Sequence, residues 1–401
     1  MSRIATDLLR IFAVTCIVFN HVSWPLFVSS ASASGGMLAH ISAIFNQLGK
    51  PSVLFFLFLS GLAFSGKREH LTIAGFYRSR LLRILPPFLL FSLIFFLASG
   101  DSFELLSPVG WLFAGTAHYH LYFVAVLLYL YLCYPLLREI PYKPSYLFTL
   151  IGVGIVLHLI NSFRYDAPLP IFLGHRLAEL GDLTMEQPGG ADNRASVVWL
   201  EYFAFAVPFF MAGLWMPQIV QRHSFLKLSF QSRNLDPEGN GLWTRLGNLK
   251  AGSLFQLILR GGLVVGGFLL VFNDFVLGYK AGLHPDPAGR VWRISVALYA
   301  VALIVFLLAL PQKSSPDWVK KLSRASFLVY LLHPLWIEAT RFLHPYYQTQ
   351  VVIPLSWLTA LALHELALSF PALGFLLGEG DRLGISRATE KSGVSDEPSR
   401  K

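Results

Sequence analysis

The sequence predicts an all-α, polytopic membrane helix bundle of about ten transmembrane helices with both termini cytoplasmic. Three observations predict it. Charged residues make up only 14% of the 401 residues and hydrophobic residues 54%, where a soluble domain carries about 25% charged residues. The apolar residues gather in runs of about 20, the length that crosses a hydrocarbon core about 30 Å thick. The runs are continuous, not alternating, so helices and not a closed barrel satisfy their backbone polar groups.

Ten runs carry the expected spans: 4–28, 41–65, 81–99, 121–137, 145–163, 197–219, 252–278, 290–311, 325–343 and 351–377. The first is apolar except for Asp7, Arg10, Asn20 and His21. Ala31-Ser32-Ala33-Ser34 after it imitates a signal-peptide end, but Asn20 and His21 interrupt the run, so an uncleaved helix is expected. The second run ends in Phe55-Phe56-Leu57-Phe58-Leu59-Ser60-Gly61. The third is entered through Arg78-Ser79-Arg80-Leu81-Leu82-Arg83, followed by Pro86-Pro87. The fourth opens at His118-Tyr119-His120 and holds Tyr134-Pro135-Leu136. The ninth carries Tyr330-Leu331-Leu332-His333-Pro334, where the proline removes a backbone donor and predicts a kink. The remaining five runs are recognised by length and apolarity alone.

The loops alternate in charge. Segments 1–10, 66–83, 138–144, 220–251, 312–324 and 378–401 hold 23 Lys and Arg, whereas the opposite loops hold Lys50, Arg164, Arg176, Arg194, Lys280, Arg290 and Arg293. Excess basic residues mark cytoplasmic loops, which also accounts for the net charge of +9 without nucleic acid as a partner. The expected organisation is a membrane domain over 1–380 and a polar, disordered tail over 381–401. Residues 164–196 form a long outer loop, expected to serve as a lid or docking loop. Cys16 and Cys133 fall inside apolar runs and form no disulfide framework.

The chemistry-bearing residues cluster by register. His21 lies eleven positions after Arg10, about 1100° of rotation, so the two share a helix face about 16 Å apart along the axis. Asp7, three residues before Arg10, lies on nearly the same stripe. Intramembrane charge costs roughly 2.5–3.5 kcal/mol, so the stripe needs a reason. A plain Asp7–Arg10 pair, or an arginine snorkelling to the interface, is one; catalysis is the other. Arg80 and Arg83 also share a face, as a topological anchor or as forks for phosphate. Ser60-Gly61 fits small-residue helix packing or a cavity wall. His120, Tyr330 and His333 fit an aromatic belt or a cavity. Two histidines two apart have no helical metal-ligand spacing, and no metal site is expected.

In this order the motifs resemble the integral-membrane acyltransferase family three, the bacterial O-acyltransferases that decorate surface glycans. The resemblance rests on Arg10 with His21, Phe55 to Gly61, Arg80-Leu81-Leu82-Arg83, His120-Leu121-Tyr122-Phe123 with Tyr134-Pro135-Leu136, and Tyr330 to Pro334. Tyr122 and Ser60-Gly61-Leu62-Ala63 depart from the family's usual residues and leave the acceptor open. The resemblance implies a multi-pass enzyme of the bacterial cytoplasmic (inner) membrane, surrounded by membrane lipids. It implies transfer of an acyl group, acetyl from acetyl-CoA foremost, to an envelope glycan or lipid-linked saccharide. It further implies His21 and Arg10 as catalytic and Arg78, Arg80 and Arg83 as acyl-CoA-binding. Asp7, Ser60, His120, Tyr330 and His333 are expected to support the cavity. No bound cofactor is expected beyond acyl-CoA as co-substrate. With no hydrolase-like domain evident, a one-step reaction or a separate periplasmic partner protein is implied. A secondary transporter for a small solute is the alternative, since intramembrane charge and a kinked helix also serve transport.

Overall fold

The structure, a computed structural model, describes residues 3–29, 36–65, 73–99, 110–112, 115–164, 192–222, 251–280, 293–308 and 314–379. Every extended regular element among them is a helix: α1 (Arg3–Val22), α2 (Trp24–Ser29), α3 (Met37–Leu48), α4 (Ser52–Leu62), α5 (Ile73–Ser99), α6 (Tyr122–Leu137), α7 (Pro144–Arg164), α8 (Asp192–Arg222), α9 (Ala251–Lys280), α10 (Ile294–Leu308), α11 (Asp317–Ala339), α12 (Pro345–Ser369) and α13 (Pro371–Leu376). Among the described residues, each expected run is mainly helical. Five segments are long and apolar enough to cross a membrane: Ile4–Val22, His40–Leu62, Ile73–Ser99, Phe255–Leu277 and Pro345–Ser369. Exposed leucines such as Leu132 and Leu136 on α6, four apart, form the outward apolar face that lipid covers. Of the loop expected over 164–196, positions 165–191 lie outside the described residues, while 164 and 192–196 are helical; the loop expected over 220–251 from 223 to 250 and the tail from 380 also lie outside them.

Several boundaries differ from the sequence reading; the tenth run, for one, divides at Phe370 before Pro371. The first run is not one helix. It breaks at Ser23, whose N–H still reaches the Phe19 carbonyl at 2.9 Å, because Pro25 has no N–H for the His21 carbonyl and its ring crowds that oxygen. The second run divides at Gly49-Lys50-Pro51, with Pro51 capping α4 without a donor to offer. The third helix begins at Ile73 and not near 81, so all three arginines of its entrance are helical.

The chain forms two compact units. The first comprises Met1–Gly66, Tyr142–Ala191 and Ala204–Ser323; the second comprises Lys67–Pro141, Asp192–Phe203 and Arg324–Lys401. In the first unit, α4 is nearly all core: Leu54, Phe55, Leu57 and Phe58 are fully buried. It crosses α8 at backbone contact. A Cβ on Gly61 would stand 1.9 Å from the Phe210 carbonyl oxygen, and one on Gly213 would stand 2.0 Å from that of Phe58. Each helix thus sets a glycine against the other's carbonyl three residues before its own glycine. The small-residue reading of Ser60-Gly61 therefore holds at Gly61.

In the second unit, Phe76 of α5 stacks on Tyr134 of α6 with centroids 4.1 Å apart, and Tyr77 donates its hydroxyl hydrogen to the Leu132 carbonyl at 2.7 Å. After α13, Gly378 takes φ +78°, and a Cβ there would meet the Arg83 carbonyl oxygen at 2.1 Å. A side chain is excluded on both counts, so the chain passes tightly under the turn of α5 that carries Arg83. The buried pair His364 and Glu379, 3.0 Å apart, fastens that end.

Candidate active site

In the first unit, α1 keeps Arg10 and His21 on one unbroken helix, so the shared face expected from their spacing survives the break at Ser23. His21 lies in the last turn of α1, half-buried, closer to a helix end than a continuous span would place it. Arg10 is also half-buried, with Nη1 3.6 Å from Asp7 Oδ1. Asp7 is more than the partner of Arg10. Ser315 donates to its Oδ2 at 2.5 Å and Ser323 to its Oδ1 at 2.7 Å. Two hydroxyl donors and a guanidinium in ion-pair range converge on one carboxylate, which fixes Asp7 and steadies the guanidinium one turn away. Ser60 is half-buried on α4; its neighbour Gly61 makes the contact with α8.

In the second unit, Arg80 and Arg83 sit three apart on α5, half-buried and exposed respectively. Arg78 is exposed and lies about 200° round the helix from Arg80, off their shared face. Of the three arginines, Arg80 and Arg83 are therefore the two that share a face.

The second unit also brings His120, Tyr330 and His333 together. His120 lies 5.2 Å from His333 and 5.3 Å from Tyr330 between ring centroids. The Tyr330 hydroxyl donates to the His120 backbone carbonyl. The proline explains the rest. Pro334 has no N–H for the carbonyl four residues earlier, which is that of Tyr330. His333 Nδ1 donates to that oxygen at 2.7 Å instead. This fixes the tautomer, with the proton on Nδ1 and the lone pair on Nε2. The helix runs on through Pro334 to Ala339 because a side chain supplies the missing donor.

His118 joins this group, and the sequence reading left it out of the cavity although the His118-Tyr119-His120 pattern displayed it. Its ring stacks on Phe95 at 4.3 Å, and its Nδ1 lies 2.8 Å from Nδ1 of His120. One imidazole donates there and the other accepts. Gly115, at φ +63°, makes the tight approach: a Cβ would stand 2.6 Å from the Leu121 carbonyl carbon. That turn delivers both histidines to the start of α6.

Burial pushes the His118 imidazole down from the ordinary 6.5 to about 4. Its folded value is depressed, so the unfolded chain binds the proton first as pH falls. The contribution of His118 to stability is complete above pH 6.5 and is lost as pH falls from 6.5 towards 4. The thermal midpoint of the wild type should drop across that window more steeply than that of His118→Phe, which keeps a ring against Phe95 and cannot titrate. Parallel curves for the two proteins would disprove the assignment.

The family model described as an acyltransferase domain, that of acyltransferase family 3, matches residues 3–374. Comparison with curated proteins gives no match, and comparison with solved structures gives none. A match running from the start of α1 into α13, over helices with the apolarity to cross a bilayer, leads to one conclusion: the chain belongs to acyltransferase family 3 and is a membrane-embedded acyltransferase.

Proposed function

We propose that the protein transfers an acyl group, acetyl from acetyl-CoA, to a hydroxyl of an envelope glycan or its lipid-linked precursor. In this reading it works in the bacterial inner membrane, with ten crossings and both termini cytoplasmic. The observation that carries the reading is the placement of Arg10 and His21 on one face of α1 inside a family match of nearly full length. The acceptor oxygen attacks the thioester carbonyl carbon. A C–O bond forms, the C–S bond breaks, and the hydroxyl proton passes to His21 and then to the departing thiolate sulfur. A covalent route in which His21 first accepts the acyl group balances equally well. Arg10, about 16 Å along the axis from His21, either holds a donor phosphate or reaches the charge that gathers on the thioester oxygen. The arrangement of Asp7 with Ser315 and Ser323 supports either role, because a fixed carboxylate restricts the guanidinium.

Arg80 and Arg83 bind the donor's phosphates. Arg80→Ala and Arg83→Ala should each weaken acetyl-CoA binding about tenfold, a loss of one charge-assisted contact. Arg80→Lys should fall between, because a point charge cannot replace the fork. Arg78→Ala, off the face, should change affinity little. Titration of the purified variants with acetyl-CoA decides this; unchanged affinity in both Arg80→Ala and Arg83→Ala would reduce the pair to topological anchors. Mass spectrometry of envelope glycans with and without the protein tests the reaction itself. Unaltered acylation would defeat the proposal.

A further inference from the structure

We infer that α13 and the turn Leu377-Gly378-Glu379 after it form a strut that positions Arg83 for the donor's phosphates. Gly378, Glu379 and His364 are its positioning residues. The inference rests on the donor reading of Arg80 and Arg83 proposed above and adds what holds them in place. All the parts lie in the second unit.

α5 needs support just past Arg83. Pro86 and Pro87 lie inside that helix. Neither has an N–H, so the carbonyls of Leu82 and Arg83, four residues earlier, lose their helical donors. A turn short of two successive bonds bends easily. Bending there would swing Arg83 away from the face it shares with Arg80. Binding a donor with several phosphates would then cost the ordering of both guanidinium groups, whereas a turn fixed beforehand avoids that cost.

The strut meets α5 at this weak point. One hydrogen of Gly378 lies along the bond direction in which a Cβ would stand 2.1 Å from the Arg83 carbonyl oxygen and 3.3 Å from Pro87 Cγ. That hydrogen points at the very oxygen that Pro87 deprives of its helical donor, a weak Cα–H···O bond in its place. The Arg83 side chain itself is exposed. The strut therefore grips the backbone of Arg83 and leaves its guanidinium facing outward.

The strut is held in two ways. The Glu379 N–H donates to the Gly374 carbonyl at 2.7 Å and the Gly378 N–H to the Phe375 carbonyl at 3.1 Å. This paired closure of a helix end requires the positive φ of Gly378. The Glu379 carboxylate also accepts from His364 Nδ1 of α12 at 3.0 Å, and both side chains are buried. Displacing the turn would leave a buried carboxylate and a buried imidazole without each other, so the pin resists it.

The test is titration of the full chain in lipid nanodiscs with acetyl-CoA. Gly378→Ala should weaken binding about tenfold, as much as losing the Arg83 contact itself. In an Arg83→Ala background the same substitution should change affinity less than about twofold, because its effect runs through Arg83. Glu379→Ala and His364→Leu should behave like Gly378→Ala and carry the test if that variant does not fold. His364→Asn, which keeps a donor near the place of Nδ1, should bind as the wild type does. Unchanged affinity in Gly378→Ala and Glu379→Ala overturns the strut. So does an equal loss with and without Arg83, which is what a general loosening of the fold would give. Arg83→Ala alone scores the donor assignment, so a failed strut beside a tenfold loss in Arg83→Ala leaves the phosphate reading standing.

Discussion

Replacing His21 by alanine should lower acyl transfer by about a thousandfold, the usual worth of a positioned acid–base group. Expression and thermal midpoint should stay close to the wild type. The physical reason lies in the position of His21: it is half-buried in the last turn of α1, while the core face of that helix is carried by Ala13, Val14, Val18 and Val22. Loss of the imidazole therefore removes chemistry and little packing. Transfer measured with purified protein in nanodiscs is the readout. A His21→Ala protein that transfers at the normal rate would end the catalytic assignment.

The largest effect on stability is expected where α4 crosses α8. Gly61→Ala and Gly213→Ala should each cost about 3 kcal/mol, the upper range for overpacking. The added carbon would stand 1.9 Å from the Phe210 oxygen in one case and 2.0 Å from the Phe58 oxygen in the other. Both obstacles are backbone, so no rotamer relieves them and the helices must part. Once parted, the second substitution meets less resistance, and the double variant should lose less than the two single losses combined. Gly152→Ala on α7 is the control. Nothing lies within 4 Å of its added carbon, so it should gain up to about 1 kcal/mol. Denaturation midpoints of the four proteins settle the comparison; equal midpoints for Gly61→Ala and Gly152→Ala would refute the close crossing.

Much of the helical architecture was legible in the sequence because lipid imposes a simple rule on apolar runs. The breaks were not read, although Trp24-Pro25 and Lys50-Pro51 announced them. Hydropathy averages over a proline, whereas the backbone does not. The register of Arg10 with His21 and of Arg80 with Arg83 was legible because it depends only on helix geometry. His120, Tyr330 and His333 were singled out separately, but their meeting joins positions about two hundred residues apart and could not be read from local pattern. The same holds for Asp7, whose serine partners lie in an unremarkable stretch, Ser314-Ser315-Pro316 to Ser323.

The bonds from Ser315 and Ser323 to Asp7 span 308 and 316 positions of the chain. Ribosomes add about 5–20 residues per second, so α1 exists for roughly 15–60 seconds before these hydroxyls are made. During that interval the carboxylate beside Arg10 has only the guanidinium for company. A helix made well before its partners is thus finished late, and a chain stopped short of residue 315 lacks the clamp however well its earlier helices have packed. Biosynthesis itself therefore keeps the arginine–histidine stripe incomplete until the membrane bundle around it is nearly whole.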